Sequence, residues 1–278
     1  MQEINFKEIC YSWLETKKKT LKIATISLYE RNLELYIIPF LGDLTLEEAN
    51  SYEQEFIQKM HDVPESHIKN VINQYRSIIK YGNKDKKHEF PITIKKNVCV
   101  LTEHEIELVK REIKKKESVE IAILLYTGIN LGELVALTQD DFDLVNNMIC
   151  INKTAQRLST KNESTQTKVY LSNNDNNERK IPISEELLQL MKTRKIKYGL
   201  DPRTIQKHLK KIEKKTNVRL TSTIIRDTFA VNLIRKGANP IVIAKLMGVK
   251  ISHFYTRYSE YLEGIITDND LREAIKLI

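Results

Sequence analysis

The chain has 278 residues, which is enough for a sizeable core and, by the usual relation of length to domain number, for about two domains. Its hydrophobic content of 41% and charged content of 29% are typical of globular proteins, and no run approaches the roughly 18 apolar residues of a membrane span, so we expect a cytoplasmic protein. The net charge of +8 indicates a polyanionic partner such as nucleic acid only weakly, because Lys-rich compositions are also basic for other reasons.

Apolar residues at helical spacing predict four helices between Phe6 and Tyr81. The second helix can be capped by Thr25 and is expected to stop at Ile37–Gly42, which contains a proline and a glycine. The third and fourth cover Thr45–Met60 and Ser66–Tyr81. The next stretch is polar and has no period, so we predict a helical domain at residues 1–83 and a linker at residues 84–100.

Residues 101–278 predict a second domain that is mainly helical. It opens with an S/T-x-x-E capping box formed by Thr102 and Glu105. Short strands are predicted at Met148–Ile151, Lys168–Leu171 and Lys180–Ile183. Helices are predicted at Glu185–Ile196, Arg203–Thr216, Thr223–Arg235, Pro240–Met247 and Asp270–Ile278. The expected fold class is therefore mainly α with a small antiparallel β-sheet (α+β).

Six short motifs occur in a specific order along nearly the whole chain. They are Thr25-x-x-x-Tyr29 with Ile38-Pro39-Phe40-Leu41-Gly42, Thr127-Gly128-Ile129-x-x-x-Glu133-Leu134, Arg179-Lys180-Ile181-Pro182-Ile183, Ile225-Arg226-Asp227-Thr228-Phe229-Ala230, Leu246-Met247-Gly248 and Arg257-Tyr258. In this order they resemble the tyrosine recombinases, or phage integrases. The resemblance implies a two-domain clamp around duplex DNA, with residues 1–83 as a SAM-like core-binding domain and residues 101–278 as a catalytic-like domain.

In the family that the chain resembles, a tyrosine hydroxyl attacks a DNA phosphodiester and forms a 3′-phosphotyrosyl link. Two arginines stabilise the extra negative charge of the phosphorane, because each offers a planar fork to phosphate oxygens. A lysine, a histidine and a further His or Trp complete that site. On these motifs the resemblance leaves Arg226 and Tyr258 as surviving catalytic positions, with Lys168 able to supply the lysine from a shifted hairpin.

The other catalytic positions of the family are substituted here. The first arginine falls on Asn130 and the lysine on Asn173, while the histidine and the His/Trp position fall on Thr223 and Val249. Each side chain also has a purely structural interpretation: Thr223 with Ser222 can cap a helix, Val249 can fill apolar space, and Asn130 can hold a turn. Arg226 can bind backbone carbonyls instead of a phosphate, and Tyr258 can be a core residue.

The favoured hypothesis is a recombinase-like protein that binds double-stranded DNA sequence-specifically without cleaving it, as a transcriptional repressor or regulator of a phage or mobile element. The alternative is an active site-specific recombinase that uses Lys168, Arg226 and Tyr258. A third hypothesis is a protein that modulates an active recombinase, or forms a homo-oligomer, through the segment Asp270–Ile278, which resembles the family's tail helix. The implied location is the cytoplasm of a bacterial host, on the nucleoid when DNA is bound.

The resemblance also implies which side chains contact DNA, because the family lays two helices of its first domain and one helix of its second along the duplex. The implied positions are Lys18, Lys19, Thr25, Tyr29, Lys69, Asn73, Arg76, Lys80, Arg203, Lys207, Lys210 and Arg226. No cofactor is expected. No metal is expected either, because the cysteines and histidines lack ligand spacing.

Overall fold

The computed structural model describes residues 5–61, 63–83, 98–116, 118–158, 168–173 and 177–265. The chain divides into two compact units, residues 1–93 with 157–168 and residues 94–156 with 169–278. No helix in the described residues is long and apolar enough to cross a membrane. The linker predicted at residues 84–100 lies outside the described residues as far as residue 97, and the tail helix predicted at Asp270–Ile278 lies outside them entirely.

Between residues 5 and 83, the described part of the first unit consists of helices joined by short turns. Its helices are α1 (Phe6–Lys18), α2 (Ile23–Asn32), α3 (Ile38–Leu41), α4 (Leu46–Ser51), α5 (Glu53–Lys59) and α6 (Glu65–Gly82). The largest side chains of its core, Phe6, Trp13, Phe56 and Tyr75, are at most 1% exposed. A buried hydrogen bond also stabilises this core, because the Tyr75 hydroxyl donates to the carbonyl of Ala49 at 2.6 Å.

The second helix does end within the predicted segment Ile37–Gly42, because a π-helical turn (Leu33–Ile37) carries it into α3, which has Pro39 in its first turn and ends at Leu41 before Gly42. Two details of the predicted first unit are wrong. Thr25 does not cap α2, which begins after Lys22 without a side-chain cap. The predicted third helix is divided into α4 and α5, because Tyr52 has non-helical backbone angles.

The second unit combines helices with two small sheets. Its elements are α7 (Glu103–Lys116), α8 (Val119–Thr127), α9 (Leu131–Ala136), β1 (Phe142–Asp143), β2 (Met148–Ile151), β3 (Lys153–Leu158), β4 (Lys168–Asn173), β5 (Arg179–Pro182), α10 (Glu185–Thr193), α11 (Pro202–Thr216), α12 (Ser222–Arg235), α13 (Pro240–Met247) and α14 (Ile251–Glu263). A 3₁₀ turn (Gln139–Asp141) precedes β1. The mainly α fold class with a small antiparallel sheet is confirmed.

The strands of the second unit form two small sheets. One has the order β1-β2-β5 with antiparallel pairing, and Ile149 of β2 is opposite Ile181 of β5 in its buried layer. The other pairs β3 with β4. The strands predicted at residues 148–151, 168–171 and 180–183 therefore exist, whereas β1 and β3 were not predicted.

Helix α8 is buried on almost every side, which explains its run of apolar residues, and only Tyr126 within it is partly exposed. The helix ends at Gly128, whose φ of 64° is left-handed, and α13 ends in the same way at Gly248 with φ 65°. Helix α14 was not predicted at all. It packs through Phe254 and Tyr258 against a core of α12 and α13 residues that includes Val231 and Met247.

Candidate functional site

A cavity of about 310 Å³ lies in the second unit, between the start of α9, the start of α12, the end of α13 and one side of α14. We call it the central cavity. Its lining includes Asn130, Ser222, Thr223, Arg226, Asp227, Val249, His253, Arg257 and Tyr258. The structure thus brings together all but two of the predicted catalytic and substituted positions. The exceptions are Asn173, which is exposed at the end of β4, and Lys168, whose side chain lies outside the described part.

Asn130 is exposed at the rim of the cavity and is the N-cap of α9. Its side-chain oxygen accepts the backbone N–H of Glu133 at 2.8 Å, and the Glu133 carboxylate accepts the backbone N–H of Asn130 at 3.1 Å. This reciprocal capping box satisfies two N–H groups that a helix start otherwise leaves unpaired. The amide oxygen of Asn130, at the position that the sequence analysis assigned to the first arginine, is therefore bonded to the backbone, and this side chain carries no charge.

Arg226 binds backbone carbonyls at the ends of two helices. Its Nη1 donates to the carbonyl of Gly128, after α8, and its Nη2 donates to the carbonyl of Met247, the last residue of α13, at 2.7 Å. Both carbonyls lie at the negative ends of helix dipoles, so a guanidinium is favourable there. Burial lowers the pKa of the Arg226 guanidinium, although arginine stays charged in proteins. The structural interpretation of Arg226 therefore holds, and the residue also lines the cavity.

Beneath the rim, Arg179 of β5 and Glu133 of α9 form a buried ion pair. Two parallel hydrogen bonds of 2.9 Å join the guanidinium to the carboxylate, whose side chains are 4% and 1% exposed respectively. Arg179 Nε also donates to the carbonyl of Leu246 at 2.7 Å. The pair therefore connects the sheet to α9 and to the end of α13. The sequence motifs contained both residues, but no pattern showed that they pair.

A second buried carboxylate, Asp227, organises the opposite wall. The Tyr258 hydroxyl donates to Asp227 Oδ1 at 2.7 Å. Arg257 binds the same carboxylate through Nε, which is 2.9 Å from Oδ1, and through Nη2, which contacts Oδ2. Burial raises the pKa of the Tyr258 hydroxyl, and the hydrogen bond to Asp227 raises it further. Tyr258 is thus both a core residue, 2% exposed, and part of the cavity wall.

The backbone of α14 is distorted at this tyrosine, since Tyr258 has non-helical angles (φ −111°, ψ 17°) inside an otherwise helical segment. The ring of Phe254 lies 4.8 Å from the Tyr258 ring between centroids, so the side chain is held by packing as well as by its hydroxyl. The distance from Val249 along the sequence predicted Tyr258, whereas Asp227 was not predicted, because a carboxylate beside the second arginine gives no signal of its own in the sequence.

The remaining substituted positions have ordinary local roles. Thr223 is exposed in the first turn of α12, and the cap of that helix is Thr221, whose hydroxyl accepts the N–H of Ile224 at 3.1 Å. The prediction that Ser222 and Thr223 form the cap is therefore wrong by one or two residues. Val249 is half-buried against the core of α12, α13 and α14, as expected for a residue that fills apolar space.

A basic groove of about 640 Å³ runs along α11 and reaches the start of α12. Its lining includes Arg203, Lys207, Lys210, Lys211, Lys214 and Ser222. Ser222 lines the central cavity too, so the groove and the cavity adjoin at the first residue of α12. The predicted contact residues Arg203, Lys207 and Lys210 are all exposed here, and Lys210 is 2.9 Å from Glu213.

The predicted contact residues of the first unit fall into two groups. Lys19, Lys69, Asn73 and Lys80 are exposed, and the last three recur at helical spacing on α6. The others have partners within the unit. Lys18 is 2.7 Å from Glu15, Arg76 is paired with Glu53, and Tyr29 packs on Trp13 with ring centroids 5.1 Å apart, while Thr25 is half-buried.

Comparison with known proteins identifies the family of this fold. Residues 99–262 match the phage integrase family, and residues 5–62 match the N-terminal SAM-like domain of phage integrases. The chain belongs to the phage integrase family. Within the tyrosine recombinases, it is 27% identical over 230 residues to tyrosine recombinase XerA of Saccharolobus solfataricus, covering 74% of this chain and 72% of the relative.

Solved structures of other integrases share the fold. The Tn1549 transposon integrase in complex with a circular intermediate DNA superimposes with a TM-score of 0.70 at 20% identity, covering 97% of this chain and 99% of that one. XerH recombinase bound to its difH substrate gives a TM-score of 0.59 at 15% identity, covering 99% and 97%. Among the described residues of this phage integrase family member, no cluster of His, Cys, Asp or Glu could hold a metal ion.

Proposed function

We propose that this phage integrase family member binds double-stranded DNA without cleaving it and acts as a repressor or regulator of a phage or mobile element. The observation that carries the proposal is the composition of the central cavity. It combines an uncharged, backbone-bonded Asn130 with a Tyr258 hydroxyl that is bonded to Asp227. Both features work against cleavage, whereas the basic groove beside the cavity favours binding to phosphates.

The first feature weakens stabilisation of the transition state. Removing one preorganised donor to a developing oxyanion costs about 10²–10³ in rate, and an amide in place of a guanidinium removes charge as well. Two Arg226 donors point at carbonyls of the protein, and Thr223 and Val249 offer no imidazole or indole. Such losses are not additive, yet several within one cavity leave little chemistry.

The second feature concerns the nucleophile. A tyrosine attacks phosphorus effectively as its hydroxyl loses a proton, and both burial and the bond to Asp227 raise the pKa of the Tyr258 hydroxyl, which disfavours the phenolate. An attack would also require the hydroxyl to give up its hydrogen bond to Asp227.

Binding has positive support in the charge distribution. Five lysines and arginines line the groove along α11, and the groove leads at Ser222 into the cavity that holds Arg226. The Tn1549 integrase and XerH structures contain DNA on the same fold. On that basis we also propose that Lys69, Asn73 and Lys80 of α6 contact the backbone of the duplex. The segment Asp270–Ile278 is proposed to join copies of the chain.

Two experiments test this function. First, genome-wide footprinting identifies the bound sites, and affinity for such a duplex should fall steeply between low and physiological salt. Second, the same site is placed in a nicked suicide duplex. We expect no covalent adduct from the wild-type chain. An adduct that disappears in Tyr258→Phe would establish the rival function, an active recombinase that uses Lys168, Arg226 and Tyr258.

The proposed role of Asp270–Ile278 is tested separately by ending the chain at residue 265. The molar mass in solution, with and without the footprinted duplex, should fall from that of an oligomer to that of a monomer. Equal masses for the full and shortened chains would exclude an oligomer built through this segment.

A further inference from the structure

The central cavity needs a second cation if it is to hold a phosphate, and the family's first arginine position does not supply one. Asn130 is neutral and its oxygen is used in the capping box. Arg226 has two of its five N–H donors committed to the carbonyls of Gly128 and Met247. From these two positions a phosphodiester in the cavity would therefore meet one positive charge, that of Arg226, and this guanidinium already donates to two carbonyls of the protein.

Arg257 lines the same cavity from the other side, on α14. It is bound to Asp227 along one edge only, through Nε and Nη2, and this geometry leaves the edge formed by Nη1 and the second Nη2 hydrogen turned away from the carboxylate. Its side chain is 37% exposed, whereas that of Asp227 is 4% exposed. The guanidinium therefore reaches solvent while the carboxylate that orients it stays covered.

The charge balance of the cavity favours an anion. Within the described part of the chain, Asp227 is the one carboxylate that lines the cavity, and it is compensated by Arg257 and by the Tyr258 hydroxyl. Arg226 and Arg257 together outweigh it by one positive charge, which matches the single negative charge of a phosphodiester. A guanidinium with one edge fixed by a carboxylate also loses little freedom when its other edge binds a phosphate.

We propose that Arg257 is a phosphate ligand of this chain, which supplies from α14 the second guanidinium that the Asn130 position lacks, with Asp227 as its positioning residue. The proposal rests on the proposed DNA binding. The ligand is one phosphodiester of duplex DNA, held between Arg226 and Arg257 without bond cleavage.

The test compares binding of the full chain to fragmented genomic duplex DNA over a range of NaCl concentrations. The key variant is the double substitution Asp227→Asn with Arg257→Gln, which leaves the net charge of the chain unchanged. The control for a change in net charge is Lys236→Gln, which removes one exposed positive charge at the end of α12, away from the cavity lining. The single Asp227→Asn variant separates the carboxylate from the guanidinium.

Loss of one phosphate contact should lower the slope of log affinity against log salt by about 0.9 in the double variant. The slope should stay at the wild-type value in Lys236→Gln and should not fall in Asp227→Asn. A double variant with the wild-type slope would overturn the role of Arg257. Wild-type protein without salt-dependent binding would instead refute the proposed function itself.

A measurement on the wild-type chain keeps the test valid if the double variant does not fold. Phenylglyoxal modifies accessible arginines, and mass spectrometry gives the extent at each position. Bound DNA should protect Arg257 severalfold and leave the exposed Arg235, at the end of α12, unchanged. Equal modification of Arg257 with and without bound DNA would overturn the proposal.

Discussion

The buried pair of Glu133 and Arg179 should be the most sensitive polar contact of the second unit. The substitution Glu133→Gln removes one charge but keeps an oxygen that can accept the Asn130 N–H of the capping box. The two 2.9 Å bonds from Arg179 would be weakened, and the guanidinium, 4% exposed, would lose its counter-charge. Breaking a buried pair on one side costs about 3–5 kcal/mol. We expect about 3 kcal/mol, because Arg179 keeps its bonds to the carbonyls of Leu246 and Asn177.

Urea unfolding followed by far-UV circular dichroism measures this loss, with Trp13 fluorescence as an internal reference. Trp13 is the single tryptophan of the chain and lies in the first unit, so its transition should not move. The control is Glu107→Gln, whose side chain is 59% exposed beside Lys110, where a surface pair contributes about 0–1 kcal/mol.

A double substitution, Glu133→Gln with Arg179→Met, completes the test. Replacing both partners removes the uncompensated charge, so it should recover much of the loss seen in Glu133→Gln alone. A loss below about 1 kcal/mol in the single variant, or no recovery in the double variant, would show that solvent or nearby groups compensate Arg179 and would refute the reasoning.

Three further substitutions concern Tyr258 in the cavity wall and two residues at the ends of neighbouring helices, Thr221 before α12 and Gly248 after α13. Tyr258→Phe should destabilise the second unit by about 1.5–3 kcal/mol, measured by urea unfolding, because it removes a hydrogen bond to the buried Asp227 carboxylate. Folding raises the pKa of the Tyr258 hydroxyl above its unfolded-state pKa of about 10, so the hydroxyl contributes stability below pH 10 and loses this contribution as the pH rises further. The free energy of unfolding should therefore fall less steeply above pH 10 in Tyr258→Phe than in the wild-type chain. Thr221→Ala should lower the thermal midpoint by removing the cap of α12, at a cost of about 0.5–2 kcal/mol. Gly248→Ala should lower the thermal midpoint more than Thr221→Ala does, because residue 248 has a left-handed backbone, which disfavours a Cβ, and because the added Cβ would meet the Arg179 guanidinium. An unchanged midpoint would contradict that geometry.

The order of motifs predicted the family and the fold class, because several short motifs in one fixed order along nearly the whole chain are specific even though each motif alone is weak. The periodicity of Pro240–Met247 and the β-branched residues at Met148–Ile151 located α13 and β2 within their observed bounds. Helix α14 was not predicted from the sequence, because only Phe254 and Tyr258 are fully buried among its 13 residues. The helix is held by tertiary contacts with α12 and α13 that its own sequence does not show.

The site was predictable as a set of positions but not as a set of bonds. The resemblance implied that Asn130, Arg226 and Tyr258 belong to one site, and the structure does bring them together around one cavity. Spacing could not show that Arg226 binds carbonyls of residues 98 positions before it and 21 after it. Nor could it show that Asp227, one residue along the same helix, binds Tyr258, because such contacts depend on how α12 and α14 pack.

The capping box explains why the substitution at Asn130 is stable in this fold. Asparagine is among the best N-cap residues, and Glu133, which completes the box, is also the partner of the buried Arg179. An arginine at residue 130 could not accept the Glu133 N–H, so it would leave the start of α9 without its side-chain cap. The position that the resemblance assigns to a phosphate-binding arginine thus holds, in this chain, a residue that caps the backbone of α9. Because the cap and the ion pair share Glu133, the local stability of α9 favours the amide, and any phosphate held in the cavity must draw its charge from Arg226 and α14.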